Sequence, residues 1–291
     1  MSKRALVRSK LDAREFFVAP GLQDMVAAAI ANEVGVEIAY GSGYWLTASS
    51  MGLPDAGIAT YTQMVDRMAT LCRVSNAAII ADADTGYGGL LNVHHTVRGY
   101  EDAGVAAIQL EDQEFPKKCG HTPFKRVIDA SEMADKIAVA VEARRDPDFV
   151  VIARSDARAS EGLDKTLRRL ELYAAAGADV LFPEALSGED EMRTACAHFD
   201  KPVMANMAHG GLTPILPADR LKEIGYSFAI YPAMTSLVAA EAMRKGLVDL
   251  IGGGTGDTAA TPAFDFKHFC SLIGFEDVWS FERRWAKDAP K

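Results

Sequence analysis

Short apolar runs alternate with amphipathic helical stretches along nearly the whole chain, and this alternation limits the fold more than any other feature. Strand-like runs are expected at Phe16–Ala19, Val36–Tyr40, Ala78–Asp82, Ala106–Glu111, Phe149–Ser155, Val180–Pro183, Val203–Asn206 and Phe228–Tyr231. Helical periodicity marks Leu22–Val34, Met64–Val74, Val93–Ala103, Ser131–Arg144, Asp164–Ala176, Glu189–Ala197, Ala218–Ile224 and Thr235–Lys245. The strand runs are apolar throughout instead of alternating, which fits parallel strands buried on both faces. Four helices run into a glycine suited to a left-handed C-terminal position: Gly35, Gly104, Gly177 and Gly225. Eight β-then-α units predict an α/β fold, a (β/α)8 TIM-type barrel. A doubly wound open sheet is the alternative, but no G-x-G-x-x-G follows the first strand.

The chain has 291 residues, long enough to bury a large core as one domain. The expected division is a barrel over 1–250 and a C-terminal helical extension over 251–291, whose aromatics (Phe264, Phe266, Phe269, Phe275, Trp279, Phe281, Trp285) suit packing on the domain or on another subunit. A net charge of −9 argues against nucleic-acid binding. Cys72, Cys119, Cys196 and Cys270 lack metal-site spacing and suit a reducing compartment. Met1–Lys10 is basic without a signal-like apolar core, and no run reaches the ~20 apolar residues of a membrane span. The expectation is a soluble, cytoplasmic protein.

In a barrel the chemistry sits at the C-terminal ends of the strands. The residues there are Tyr40-Gly41-Ser42-Gly43, Asp82-Ala83-Asp84, Glu111-Asp112, Arg154-Ser155-Asp156, Glu184 and Asn206, with Asp55 on a loop. Asp55, Asp82, Asp84 and Glu111 are oxygen donors, suited to Mg²⁺ or Mn²⁺ over zinc. Alternation would put Asp82 and Asp84 on one face. Asp-x-Asp by itself also suits a turn or helix cap. Arg154 offers a planar fork for a substrate carboxylate, or a salt bridge to Glu184 or Asp156. Ser42 and Gly43 offer donors to an anion, or form a plain turn. His94 and His95 read as helix-start residues. The loop Lys117-Lys118-Cys119-Gly120-His121 sets a thiol among cations, which makes it a usable acid or nucleophile.

These segments together resemble the isocitrate lyase / phosphoenolpyruvate mutase superfamily over roughly residues 16–246. The most specific match is Lys117-Lys118-Cys119-Gly120-His121, similar to the KKCGH signature of its carbon–carbon lyases. Gly52-Leu53-Pro54-Asp55, Asp82 to Gly88 and Leu110 to Gln113 resemble its other motifs. The resemblance implies a (β/α)8 barrel that binds Mg²⁺ and a cysteine loop that closes over the substrate. It also implies a homotetramer of dimers that exchange C-terminal helices. It implies a metal held by Asp82 and Asp84, with Asp55 and Glu111 joining through waters. Cys119 is then the general acid, tuned by Lys117 and His121. Arg154, His121, Lys118 and Asn206 face the departing carboxylate, while Tyr40, Ser42 and Gly43 hold the keto-acid part. Gly120 and Glu184 complete the substrate contacts, and Tyr40 is a candidate base for the hydroxyl proton.

The methylisocitrate lyases carry an arginine where this chain has Leu237, and a third carboxylate buried there would be unpaired and costly. The run Asn206 to Pro214 resembles instead the dimethylmalate lyase, oxaloacetate hydrolase and petal death protein group. The expected activity is cleavage of a 2-hydroxy dicarboxylate such as 2,3-dimethylmalate to a 2-oxo acid such as pyruvate and a carboxylate such as propionate. Methylisocitrate lyase, or an oxaloacetate hydrolase or decarboxylase, is the alternative.

Overall fold

A computed structural model describes residues 1–120 and 125–285. In chain order its elements are α1 (Lys3–Asp12), β1 (Phe17–Pro20), α2 (Met25–Glu33), β2 (Ile38–Gly41), α3 (Gly43–Met51), α4 (Tyr61–Val74), β3 (Ala78–Asp82), α5 (Leu90–Asp102), β4 (Ala107–Glu111) and α6 (Ala130–Ala143). They continue as β5 (Val150–Ser155), α7 (Arg158–Glu161), α8 (Leu163–Ala175), β6 (Val180–Pro183), α9 (Glu189–His198), β7 (Met204–Asn206), α10 (Ala218–Ile224), β8 (Phe228–Tyr231), α11 (Met234–Ile251), α12 (Phe266–Leu272) and α13 (Phe275–Trp285).

All strand pairs are parallel, in the orders β2-β3-β4-β5-β6 and β1-β8-β7. Single bridges, Gly21 to Tyr40 and Leu181 to Val203, join the two sheets at both seams and complete the ring. The expected (β/α)8 barrel is therefore the observed one. All four helix-closing glycines have positive φ: Gly35 76°, Gly104 91°, Gly177 105° and Gly225 114°. A side chain there would be strained, so these glycines turn each helix back toward the next strand.

Strand periodicity divides the core into two shells. Ile38 and Tyr40, Ala78 and Ile80, Val150 and Ile152, and Val180 and Phe182 fill the inside of the ring. Ala39, Ile79, Ala81, Val151, Ala153 and Leu181 point outward and pack against α2, α4, α5, α6 and α8. Because strand side chains alternate, the next inward positions after these are Asp82, Arg154 and Glu184. The inward parity of the apolar core thus delivers the polar strand ends into the barrel mouth.

The sequence reading did not anticipate α1, which lies across the N-terminal ends of the strands. Lys3 donates to the carbonyls of Cys72 and Ser75, Arg4 to that of Val105, and Arg8 to Asp179 at 2.9 Å. Val7 and Leu11 are buried with the inner-shell residues. Helix α3 was missed too, although Ser42 precedes it and Gly52, with φ 63°, ends it. No helix among the described residues is long and apolar enough to cross a membrane.

Candidate active site

A cavity of about 370 Å³ opens at the C-terminal ends of the strands. Of the sequence-derived candidates, Tyr40, Ser42, Asp55, Asp82, Glu111, Lys117, Cys119, Gly120, Arg154, Glu184 and Asn206 line it. Asp84 and Gly43 lie just behind: a Cβ added to Gly43 would meet Asp82 Oδ2 at 3.0 Å and Asp84 Oδ1 at 3.3 Å. His121 lies outside the described residues.

Register explains the convergence. Asp82 pairs with Gln109, and Glu111 with Arg154, so neighbouring strands present these side chains at matching heights. Asp84 arrives differently from the expected alternation. It lies past the end of β3 with φ 50°, and its N–H donates to Asp82 Oδ1 at 3.1 Å. A turn, not the pleat, therefore brings the two aspartates together.

The acids are buried and crowded. Burial, reinforced by Asp82 and Asp55 and opposed by Lys117, pushes the Asp84 carboxyl up to about 6. Burial likewise holds Glu111 well above the usual carboxylate range, and among the described residues its buried Oε1 has no hydrogen-bond partner. Lys117 differs from its expected place as a tuner of the cysteine. Its ammonium is buried 2.5 Å from Asp55 and 2.7 Å from Asp84. Burial opposes its charge, but Asp84, Glu111, Asp82 and Asp55 together hold it protonated.

Tyr40 is a poor base. Its hydroxyl donates to Gln109 Oε1 at 2.8 Å, and burial raises its pKa well above the ordinary phenol value. Gln109 itself went unnoticed, since a glutamine inside an apolar run carries no chemical signature. It is fully buried and reaches Asp82 Oδ1 at 3.4 Å.

Arg154 realises the salt-bridge alternative in full. It grips Asp156 with two bonds, Nε to Oδ2 at 2.8 Å and Nη2 to Oδ1 at 3.0 Å, and stands 3.3 Å from Glu111 and 3.5 Å from Glu184. Its guanidinium also lies over the Phe182 ring at 5.2 Å. A planar cation so held keeps one orientation. Asn206 Nδ2 donates to Glu184 Oε2 at 3.0 Å.

The cysteine segment is anchored by Gln113, whose amide donates to Lys118 O at 2.8 Å and accepts from Lys118 N at 3.0 Å. Ser42 precedes α3, and its side chain makes no capping bond to that helix. The N–H of Gly43, the first residue of α3, donates to Asp82 Oδ2 at 3.3 Å, so the start of the helix already faces a carboxylate. Tyr44, Trp45, His209, Pro232 and Leu237 complete the wall. Of these, Leu237 is the position from which the sequence argued against a third carboxylate; the other four were not singled out as site residues, because they contribute shape more than a recognisable motif.

The model of the family described as phosphoenolpyruvate phosphomutase matches residues 7–251. The 2,3-dimethylmalate lyase of Eubacterium barkeri is 40% identical over 290 residues, covering 98% of this chain and 99% of the relative. The chain belongs to the PEP mutase/isocitrate lyase superfamily. A 2-methylisocitrate lyase of Aeropyrum pernix is 38% identical over 286 residues, 98% of this chain and 91% of that protein. Among solved structures, an oxaloacetate acetylhydrolase in complex with 3,3-difluorooxalacetate superposes with a TM-score of 0.92 at 31% identity, covering 99% of each chain. A phosphonopyruvate hydrolase complex with oxalate and Mg²⁺ gives 0.85 at 29% identity, over 99% of this chain and 100% of that one. The superfamily resemblance of the motifs and the fold therefore agree.

Proposed function

We propose that this superfamily member is a divalent-metal-dependent carbon–carbon lyase that cleaves a 2-hydroxy dicarboxylate of the 2,3-dimethylmalate type to a 2-oxo acid and a carboxylate. The observation that carries this reading is the pairing, in one cavity, of a buried carboxylate cluster with Cys119 and a rigidly held Arg154. A catalytic metal at that cluster, the cysteine as acid and the arginine as anion site are proposed roles.

The donor chemistry fits a hard cation: every acid in the cluster offers oxygen, and among the described residues the buried Glu111 Oε1 has no hydrogen-bond partner. Among the described residues no three acidic, histidine or cysteine side chains converge on one point. Mg²⁺ keeps several waters and takes only one or two carboxylates directly. Asp82 and Asp84 would hold Mg²⁺ or Mn²⁺, with Asp55 and Glu111 acting through waters. When bound, the ion supplies positive charge that lowers the pKa of the substrate hydroxyl.

The chain's own groups do the rest. Ser42, with Gly43 just behind it, lines the keto-acid end, and Tyr40 stays protonated as a donor. Arg154, Lys118 and Asn206 face the departing carboxylate, with His121 assigned there by the sequence alone. Lys117 offsets the acid cluster. Cys119 delivers the proton to the carbon released when the 2,3 bond breaks. Gly120 and Glu184 shape the pocket around the arginine.

Leu237 lines the cavity where a third carboxylate would need a cation, and this supports a dicarboxylate over methylisocitrate. The likeness to oxaloacetate acetylhydrolase supports a second reading, hydrolysis of oxaloacetate. Purified protein with Mg²⁺ tests both against 2,3-dimethylmalate, other 2-alkylmalates, methylisocitrate, isocitrate and oxaloacetate. Pyruvate plus propionate from dimethylmalate is the expected result. Succinate from methylisocitrate overturns the Leu237 argument, and oxalate plus acetate from oxaloacetate moves the protein to the hydrolase. Cys119→Ser is expected to abolish cleavage while leaving Mg²⁺ affinity, read by calorimetry, unchanged; full activity would remove the proton-donor role.

We further propose that the 251–291 extension contacts a second copy, exchanging helices in dimers that pair to a homotetramer, and that the protein works in the cytoplasm. The apolar exposure of Phe275, Trp279, Phe281 and Trp285, with no buried residue in α13, supports the exchange.

A further inference from the structure

Lys125 belongs to no motif discussed so far, yet its ammonium is buried at the site. It donates to Asp156 Oδ1 at 2.9 Å, with side-chain exposures of 4% and 0%, and to the carbonyl of Gly120. Asp156 also accepts two bonds from Arg154, and its Oδ1 is shared between the guanidinium and the lysine. One buried aspartate therefore joins the arginine to the lysine, and the lysine reaches the backbone next to Cys119.

A second observation brings the same groups together. A Cβ added to Gly120 would meet Arg154 Nη2 at 2.1 Å, Glu184 Cγ at 2.9 Å and Asp156 Oδ1 at 3.1 Å. The backbone beside the cysteine thus rests directly on the arginine and on two of the acids around it, a distance only glycine permits. Arg154 and Lys125 together keep Asp156 ionised against its burial. Three acids, Asp156, Glu111 and Glu184, surround Arg154, so a second cation on Asp156 offsets their excess negative charge.

The geometry points to Lys125 as a positioning residue that fastens the Cys119–Gly120 segment to the Arg154–Asp156 pair, and so fixes the thiol relative to the anion-binding guanidinium. Lys125 does not touch the reacting atoms; it acts through Gly120 and Asp156. This deepens the lyase reading and rests on it for its kinetic arm alone.

The test compares wild type with Lys125→Met and Lys125→Arg by two readouts. The first is the rate of iodoacetamide alkylation at Cys119, followed by peptide mass mapping, which needs no substrate. The map separates it from the other thiols, of which burial pushes Cys72 up to about 11 and Cys196 up to about 12. A charge-assisted hydrogen bond shifts an equilibrium about tenfold, so Lys125→Met should alkylate about tenfold faster. The second readout, with the diacid that wild type cleaves, should show kcat reduced about tenfold or more and KM nearly unchanged. Lys125→Arg, which keeps the charge and donors, should recover most of both.

Alkylation and kcat both within twofold of wild type would overturn the assignment, as would faster alkylation with unchanged kcat. If Lys125→Met is recovered unfolded, Gly120→Ala replaces it in the alkylation arm, with faster reaction expected and an unchanged rate overturning the proposal. If wild type cleaves no diacid, the lyase reading fails, while alkylation still decides the role of Lys125.

Discussion

Asp156 shows how one carboxylate can set both stability and geometry. Burial works against its charge, but Arg154 and Lys125 outweigh it and hold the carboxyl down to about 2, against an ordinary 3.8. A folded-state pKa below the unfolded one gives stability that is present above about pH 4 and lost as pH falls toward 2. Urea denaturation between pH 5 and 2 should therefore show Asp156→Asn, already destabilised at pH 5, losing less further stability than wild type; parallel curves would show that another group carries the acid sensitivity. At this scale the acids, Cys119 and Arg154 were legible because their chemistry is written in their residue types at strand ends. Asp156 was legible only as one of two possible targets for the Arg154 fork; Gln109 and Lys125 were not, because each takes its meaning from a partner 27 to 31 residues away across the barrel.

Elements carry the barrel's closure. At the β1–β2 seam the chain depends on Gly21, whose N–H donates to Tyr231 O at 3.0 Å and which bridges to Tyr40. A Cβ there would meet Pro232 O at 2.2 Å, and that neighbour is backbone, which cannot swing aside. Gly21→Ala should cost about 1–3 kcal/mol, the range for overpacking a tight site. It should also disturb the cavity, since Tyr40 and Pro232 both line it. Chemical denaturation checks the first effect, and Mg²⁺ or oxalate affinity the second. Apolar runs and helix-closing glycines made the strands and most helices legible, because buried parallel strands need the first and tight returns the second. Helix α1 was read as a basic tail. Its lysine and arginines look solvent-directed in sequence, but they satisfy carbonyls and acids at the barrel's underside. Helix α3 hid behind its neighbouring glycines and aromatics, which resemble a loop until Ser42 and Gly52 are seen as its two ends.

At the scale of the whole molecule, the barrel and the segment after α11 differ in how they are covered. Strands and inner helix faces are buried, whereas α11 exposes Val238, Met243, Leu247, Val248 and Ile251, and the aromatics of α13 are at least a third exposed. Apolar surface of this extent on one side of a molecule marks an interface. Removing residues 252–291 should lower the mass measured by light scattering from that of the proposed tetramer to a smaller species; an unchanged mass would overturn the proposed role of the extension. Whether that truncation also lowers turnover tests if the extension serves the cavity of another copy.

Helix α1 has a kinetic consequence. Val7 and Leu11 are seated among the inner-shell residues, whereas the cavity opens at the C-terminal ends of the strands. On the proposed mode of binding, a fragment held against Asp82 and Glu111 would wait behind the fragment nearer Cys119. Two products formed at once would depart in a fixed sequence. Product-inhibition patterns should accordingly show the keto acid competing with substrate and the monocarboxylate inhibiting noncompetitively, the behaviour of a vessel emptied only from the top.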